Sequence, residues 1–302
     1  VYVDGHVYYS PQCNNLGRHG HALRYSTSKA FYDASAWEAF DAGSIGGLVT
    51  RGYYGCLADD RYVYYVPRTD GEHLHSRVLR FDRNAPFDHL DSWSAFDEGT
   101  PISSQGGAFD GRYLYFAPGY HKDSGPSGSI LRHDTTAAFD EAASWVRFDA
   151  AALVGDRCRC YDGAVFDGRY VYFVPLEGGD VLRFDTAGDF SDAVAWEAFD
   201  RRSLSGIDAN GANVGAIFDG RYVYLTPYAH STDVRYDTTT SFSDSSSWST
   251  FNAAMTSALD CRGYDGAAFD GRFVYFIPFW KGGDAKDGFH AQLLRFDTLK
   301  SF

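Results

Sequence analysis

A ten-residue phrase returns six times along this chain, and it limits the fold more than any other feature. Its full form, FDGRYVYFVP, occupies residues 166–175. It recurs from Phe109, Phe218 and Phe269, with a variant from Ala58 and a clipped copy from Val3. The Asp of each copy is Asp4, Asp59, Asp110, Asp167, Asp219 or Asp270, giving steps of 55, 51, 57, 52 and 51 residues. A period of that length marks a propeller or a solenoid. What all copies share is scaffold, and what only some carry is where function should be sought.

One repeat reads as four strands. Residues 161–166 are short, with Gly163 and Ala164 at the centre. Asp167-Gly168 is a tight-hairpin signal, because glycine tolerates positive φ. Residues 169–175 alternate Tyr with Val and Phe and favour a strand. Tyr170, Tyr172 and Val174 point one way, Val171 and Phe173 the other, so both faces are apolar and both must be covered. Residues 181–185 (VLRFD) and 196–200 (WEAFD) supply the third and fourth strands, and residues 186–195 between them have room for one helical turn.

Four antiparallel strands in about 52 residues describe one propeller blade, packed between two neighbours. The sequence therefore predicts an all-β, six-bladed β-propeller filling residues 1–302 as one domain. The blades fall near 1–41, 52–97, 104–149, 161–200, 213–252 and 264–302. The Trp-bearing outer strand occurs five times, at Trp37, Trp93, Trp145, Trp196 and Trp248, so the last blade is expected to lack its outer strand in this chain. Residues 1–3 run through a tight turn into a second strand and are expected on the inner side of the first blade, not on a rim. The plan of small inner strand, DG turn, RYVYF strand, LRFDT strand and Trp-bearing outer strand resembles NHL and Kelch-type propellers. The resemblance covers the whole chain at the level of architecture and implies no particular chemistry.

Composition excludes several functions. The net charge of −13 opposes nucleic-acid binding, which needs a basic surface. No apolar run is long enough to span a bilayer, and no signal-peptide pattern is present. The absence of an initiator Met fits a mature form or a fragment. Scarce Lys beside abundant Arg hints at a bacterial source, and an aromatic-rich propeller without cytosolic signatures is expected to be secreted or displayed at the cell surface. Five cysteines, Cys13, Cys56, Cys158, Cys160 and Cys261, cannot all pair internally. A staple from Cys158 or Cys160 to Cys261 is one option.

Shared charges read as scaffold. Third-strand Arg24, Arg80, Arg132, Arg183, Arg235 and Arg295, the Asp two residues later, and the hairpin Arg suggest an Arg–carboxylate lattice between blades. The repeat Trp read as outer-strand packing.

The second-to-third loops differ most between blades. They span residues 11–22, 67–78, 118–129, 175–180, 227–233 and 278–292. They hold seven of the ten His: His19, His21, His73, His75, His121, His230 and His290. Imidazole is a common transition-metal ligand, so a divalent metal ion is the cofactor this concentration suggests. A second candidate is the start of the inner strands, where Arg51, Arg159 and Arg262 and, nearer the repeat Asp, Gln105, Asp162 and Asp265 suit a polar ligand. Trp280 is the one Trp outside the repeat position. With Tyr120 and Tyr228 it sits where a sugar-stacking or protein-contacting ring would be placed.

Three functions follow. One is a recognition propeller binding a glycan or a protein partner through the variable loops. The second is a metal-assisted hydrolase or polysaccharide lyase, with Asp162, Asp265 or His121 moving protons. The third is a structural subunit of a larger assembly. Loops that differ between blades favour the first, through a single asymmetric site.

Overall fold

The computed structural model describes residues 1–208, 211–228, 230–254, 256–282 and 288–302. Its strands form six antiparallel blade sheets. Five run in the order inner, second, third, outer, and the sixth has three strands, Tyr264–Phe269, Phe273–Pro278 and Leu294–Asp297. The protein is thus an all-β, six-bladed β-propeller. Tyr2 and Val3 pair with Val7 and His6 at the inner end of the first sheet, as expected. The chain divides into two compact units, Val1–Arg147 with the first three blades and Phe148–Phe302 with the last three.

The repeated phrase builds its hairpin through one carboxylate. In the fourth blade, Asp167 Oδ1 accepts the Arg169 and Tyr170 N–H groups at 2.8 and 2.7 Å, and Oδ2 accepts the Tyr172 hydroxyl at 2.7 Å. Asp59, Asp110, Asp219 and Asp270 do the same in their blades. A side-chain acceptor thus satisfies the donors that a tight turn leaves unpaired.

The alternation of the second strand distributes its rings as predicted. In the second blade, Tyr64 and Val66 enter the core shared with the third blade, while Val63 and Tyr65 enter the core shared with the first. In the second unit, Tyr172 and Val174 join Tyr236 and Trp248 of the fifth blade. The repeat Trp stacks on a ring of the preceding outer strand at Trp93, Trp145 and Trp248. Trp248 stacks on Phe199 of the preceding blade at 4.3 Å, and its indole N–H donates to the Phe242 carbonyl at 3.0 Å. A buried indole with its one donor satisfied packs without a polar penalty.

Arginine does not form the expected lattice between blades. The hairpin Arg pairs within its own blade, as Arg169 does with Asp185 at 2.8 Å. The third-strand Arg reaches the next blade mainly through rings: the Arg183 guanidinium lies 4.2 Å from Tyr170 of its own blade and 4.4 Å from Phe242 of the fifth. Arg24 over Phe87 and Arg80 over Phe139 repeat that contact in the first unit. A planar guanidinium between two rings is desolvated on both faces and gains cation–π attraction there, while its edge stays free to pair: Arg24 meets Glu38 and Arg183 meets Glu197 of the same blade, each at 2.7 Å.

Candidate functional site

The histidines separate by register. His19, His75, His230 and His290 each precede a third-strand Arg (Arg24, Arg80, Arg235, Arg295) by five residues. In three of them the ring closes the second-to-third loop onto the segment at the start of the inner strand. His75 Nε2 donates to the Arg51 carbonyl at 3.0 Å, and its Nδ1 accepts the Arg77 N–H at 3.3 Å. His230 does this with the Ala212 carbonyl and Thr232 N–H, and His290 with the Gly263 carbonyl and Gln292 N–H. His19 Nδ1 accepts the His21 N–H at 3.2 Å. Both ring nitrogens of His75, His230 and His290 are therefore committed. Burial, reinforced by the nearby Arg77 charge, lowers the His75 pKa to about 4. Burial likewise lowers that of His230.

This narrows the metal expectation. A latch with no free lone pair cannot ligate, which removes His75, His230 and His290. His121 Nδ1 is occupied by the N–H groups of Asp123 and Ser124. His73 is exposed beside Asp70 at 3.8 Å, and His21 is exposed beside Asp41 at 3.7 Å. Among the described residues, no three of His, Cys, Asp and Glu converge as a metal site. The recurring H-x4-R spacing was the sequence signal for a structural role.

The inner-strand candidates also differ in state. Gln105 and Asp162 are buried and Asp265 is half-buried. Arg159 donates to the Asp156 carbonyl, and Arg262 pairs with Asp260 at 3.1 Å. All five cysteines are free thiols, so no staple joins Cys158 or Cys160 to Cys261. Burial pushes the Cys158 thiol up to about 11, which leaves it an inert packing group.

Two features of the variable loops stand apart from the scaffold. The first is a cavity of about 240 Å³ in the first unit, lined by Asn14, Arg18, His19, His21, Asp41 and Arg51 among others. Arg18 comes from a small hairpin, Cys13–Asn14 paired with Gly17–Arg18, inside the first variable loop. Among the described residues, neither the Arg18 nor the Arg51 guanidinium has a hydrogen-bond or ion-pair partner. Asp41 carries the opposing charge, and its Oδ1 accepts the Gly43 N–H at 3.0 Å.

The second is an aromatic group in the sixth blade. Trp280 packs over its own loop, where a Cβ on Gly288 would lie 2.1 Å from the indole nitrogen. The rings presented outward are Phe279 and Phe289, 5.3 Å apart, with Tyr228 at 6.1 Å from Phe279. Tyr120 is half-buried, and its backbone N–H donates to Ser103 Oγ at 2.9 Å. Sequence reading chose Trp280 for its rarity and passed over Phe279, Phe289, Arg18 and Asp41. No local pattern marks these four; the fold places Arg18 and Asp41 in one cavity and pairs Phe279 with Phe289 separately.

A groove of about 570 Å³ lies at the DG-turn end, between the second and third blades. Asp59, Arg61, Tyr62, Arg80 and Phe139 line it. These are repeat positions already engaged in turns and cation–π contacts.

No protein-family model and no curated protein matches the chain. Solved structures do. The chain is similar to virginiamycin B lyase from Staphylococcus aureus at 14% identity and a TM-score of 0.54, covering 87% of this chain and 74% of that one. It is similar to a putative 6-phosphogluconolactonase from Bacteroides uniformis at 15% identity and a TM-score of 0.53, covering 96% and 81%. A chain of the nidogen/laminin complex matches at 13% identity and a TM-score of 0.52, covering 86% and 82%. At such identities the likeness establishes the fold alone.

Proposed function

We propose that this protein is a recognition propeller that binds a glycan or a protein partner through its second-to-third-strand loops. The observation that carries the reading is the contrast between repeated and unrepeated groups. Repeated Asp, Arg, Trp and loop His are consumed by turns, cation–π stacks, indole bonds and latches. The unrepeated groups, unpaired Arg18 and Arg51 in one loop set and outward Phe279 and Phe289 in another, are surface groups of the kind used in binding. The latched imidazoles of His75, His230 and His290 are not available as general bases, so a catalytic reading rests on Asp162, Asp265 or His121. That one similar structure comes from a nidogen/laminin complex agrees with recognition as a use of this fold. A secreted or cell-surface setting belongs to the same proposal.

A glycan microarray and an extracellular-protein array, each probed with wild-type protein and with Arg51→Ala and Phe279→Ala/Phe289→Ala variants, test it. Saturable binding that at least one variant weakens, without a change in thermal melting, is expected. A protein that binds neither array, or whose bound partners ignore all the variants, would overturn it.

A further inference from the structure

The cavity between the first and second blades has a charge pattern that selects one class of ligand. Two arginines from different segments line it. Arg18 comes from the inserted hairpin, its methylene stem lying against Gly52 and Gly71: a Cβ on Gly52 would sit 3.3 Å from Arg18 Cδ, and one on Gly71 3.4 Å from Cγ. Arg51 comes from the segment before the second inner strand, and a Cβ on Gly43 would sit 3.3 Å from its Nε. The floor is bare backbone. A Cβ on Gly20 would lie 2.2 Å from Gly43 Cα, so Gly20 admits no side chain there. The tilted rings of His19 and His21, 5.6 Å apart, form one wall.

The protein carries a net charge of −13, and among the described residues most guanidinium groups are paired, so two uncommitted ones in a single cavity stand out. Asp41 offsets one of the two positive charges. The remaining single positive charge suits a monoanion such as a carboxylate. Planar guanidinia bind carboxylates through two parallel hydrogen bonds. Asp41 presents acceptor oxygens to hydroxyl groups beside that carboxylate, and a volume of about 240 Å³ holds little more than one sugar ring.

We infer that this cavity is a subsite for a uronate residue. Arg18 and Arg51 would hold its carboxylate, Asp41 would accept from a ring hydroxyl, and the imidazoles would border the ring. The inference rests on the recognition reading and names its ligand class.

Isothermal titration of the full chain with oligogalacturonate, with neutral oligogalactose, with free galacturonate and with inorganic phosphate tests it. Saturable binding of oligogalacturonate is expected, with neutral oligogalactose failing to bind or compete. Arg51→Ala should weaken binding by about tenfold or more, the scale of a lost charge-assisted contact, and Arg51→Lys by less. Arg51 is exposed, so its variants should melt like the wild type; Arg18→Ala is informative where its melt is also unchanged. Binding of free galacturonate alone would point to a monosaccharide source, and tighter binding of the oligomer to a polymer; either supports the subsite. Phosphate binding tighter than uronate, equal binding of the neutral oligomer, or indifference to Arg51→Ala overturns it. Should no uronate bind while the arrays yield another partner, the subsite fails and the recognition reading stands.

Discussion

At the scale of single residues, two departures from the repeat carry pH dependence. The position after the third-strand Arg holds Tyr25, Phe81, Phe184, Tyr236 or Phe296 in five blades and His133 in the third. His133 is fully buried and stacks on Trp145 at 4.1 Å; burial lowers its pKa from 6.5 to about 4. A histidine whose pKa is depressed in the fold contributes stability above its unfolded value and loses it as pH falls from 6.5 toward 4. That loss is on the order of 3 kcal/mol. His133→Phe, which restores the repeat residue, should therefore widen its stability advantage by that order between about pH 7.5 and pH 4. Denaturant unfolding across this range measures it, and parallel curves for the two proteins would refute it. Asp233 is the opposite case. It occupies a position held by Ala22, Val78, Ile130, Val181 and Leu293 elsewhere, and burial raises its pKa well above 3.8. Burial favours its protonated form, so wild-type stability should decline as pH rises above 3.8 relative to Asp233→Asn. Below that value the pH-dependent difference should vanish. A gap that does not grow with pH would show that Asp233 is ionised in the folded protein.

At the scale of the strand, inner strands depend on a glycine bulge. In the fourth blade the pairing of Tyr161 with Pro175 shifts before Ala164 pairs with Phe173, and Gly163 lies in that shift with φ of 86°. A Cβ there would sit 3.0 Å from Gly215 Cα of the neighbouring inner strand. Gly163→Ala therefore meets both a left-handed backbone and a neighbouring main chain. It should cost about 2 kcal/mol or more, read as a lowered urea midpoint. By contrast, alanine at exposed Gly111 meets no atom within 4 Å and faces only its φ of 101°, so it should cost less. Equal losses at the two sites would mean that strand proximity adds nothing. The strands themselves were legible because period-two alternation in RYVYF leaves no other way to cover both faces. The DG signal was legible because its Asp must accept the turn's donors. The direction of the third-strand Arg was not legible: a guanidinium two residues before an Asp gives no sign that it meets the next blade through rings.

At the scale of the molecule, the repeat explains why the site was harder to read than the fold. Scaffold information is written six times and survives variation in any copy, whereas Arg18, Asp41 and Arg51 occur once and are joined only by loop geometry. The histidines misled for the same reason in reverse. Seven in the loops looked like a collection, while the fixed five-residue spacing of four of them already marked a repeated structural part. The long-range field of the molecule has its own consequence for binding. At −13 it repels an acidic glycan at distances beyond the reach of Arg18 and Arg51, while those two groups attract it at contact. Salt screens the long-range repulsion over roughly 10 Å at 0.1 M, so the association rate for oligogalacturonate should rise as ionic strength increases from low values. The dissociation rate should rise as well, because the guanidinium contacts weaken. Stopped-flow or surface-based kinetics separate the two rates. An association rate that falls with salt would mean that the local pair of arginines, and not the acidic whole, governs the approach of the ligand.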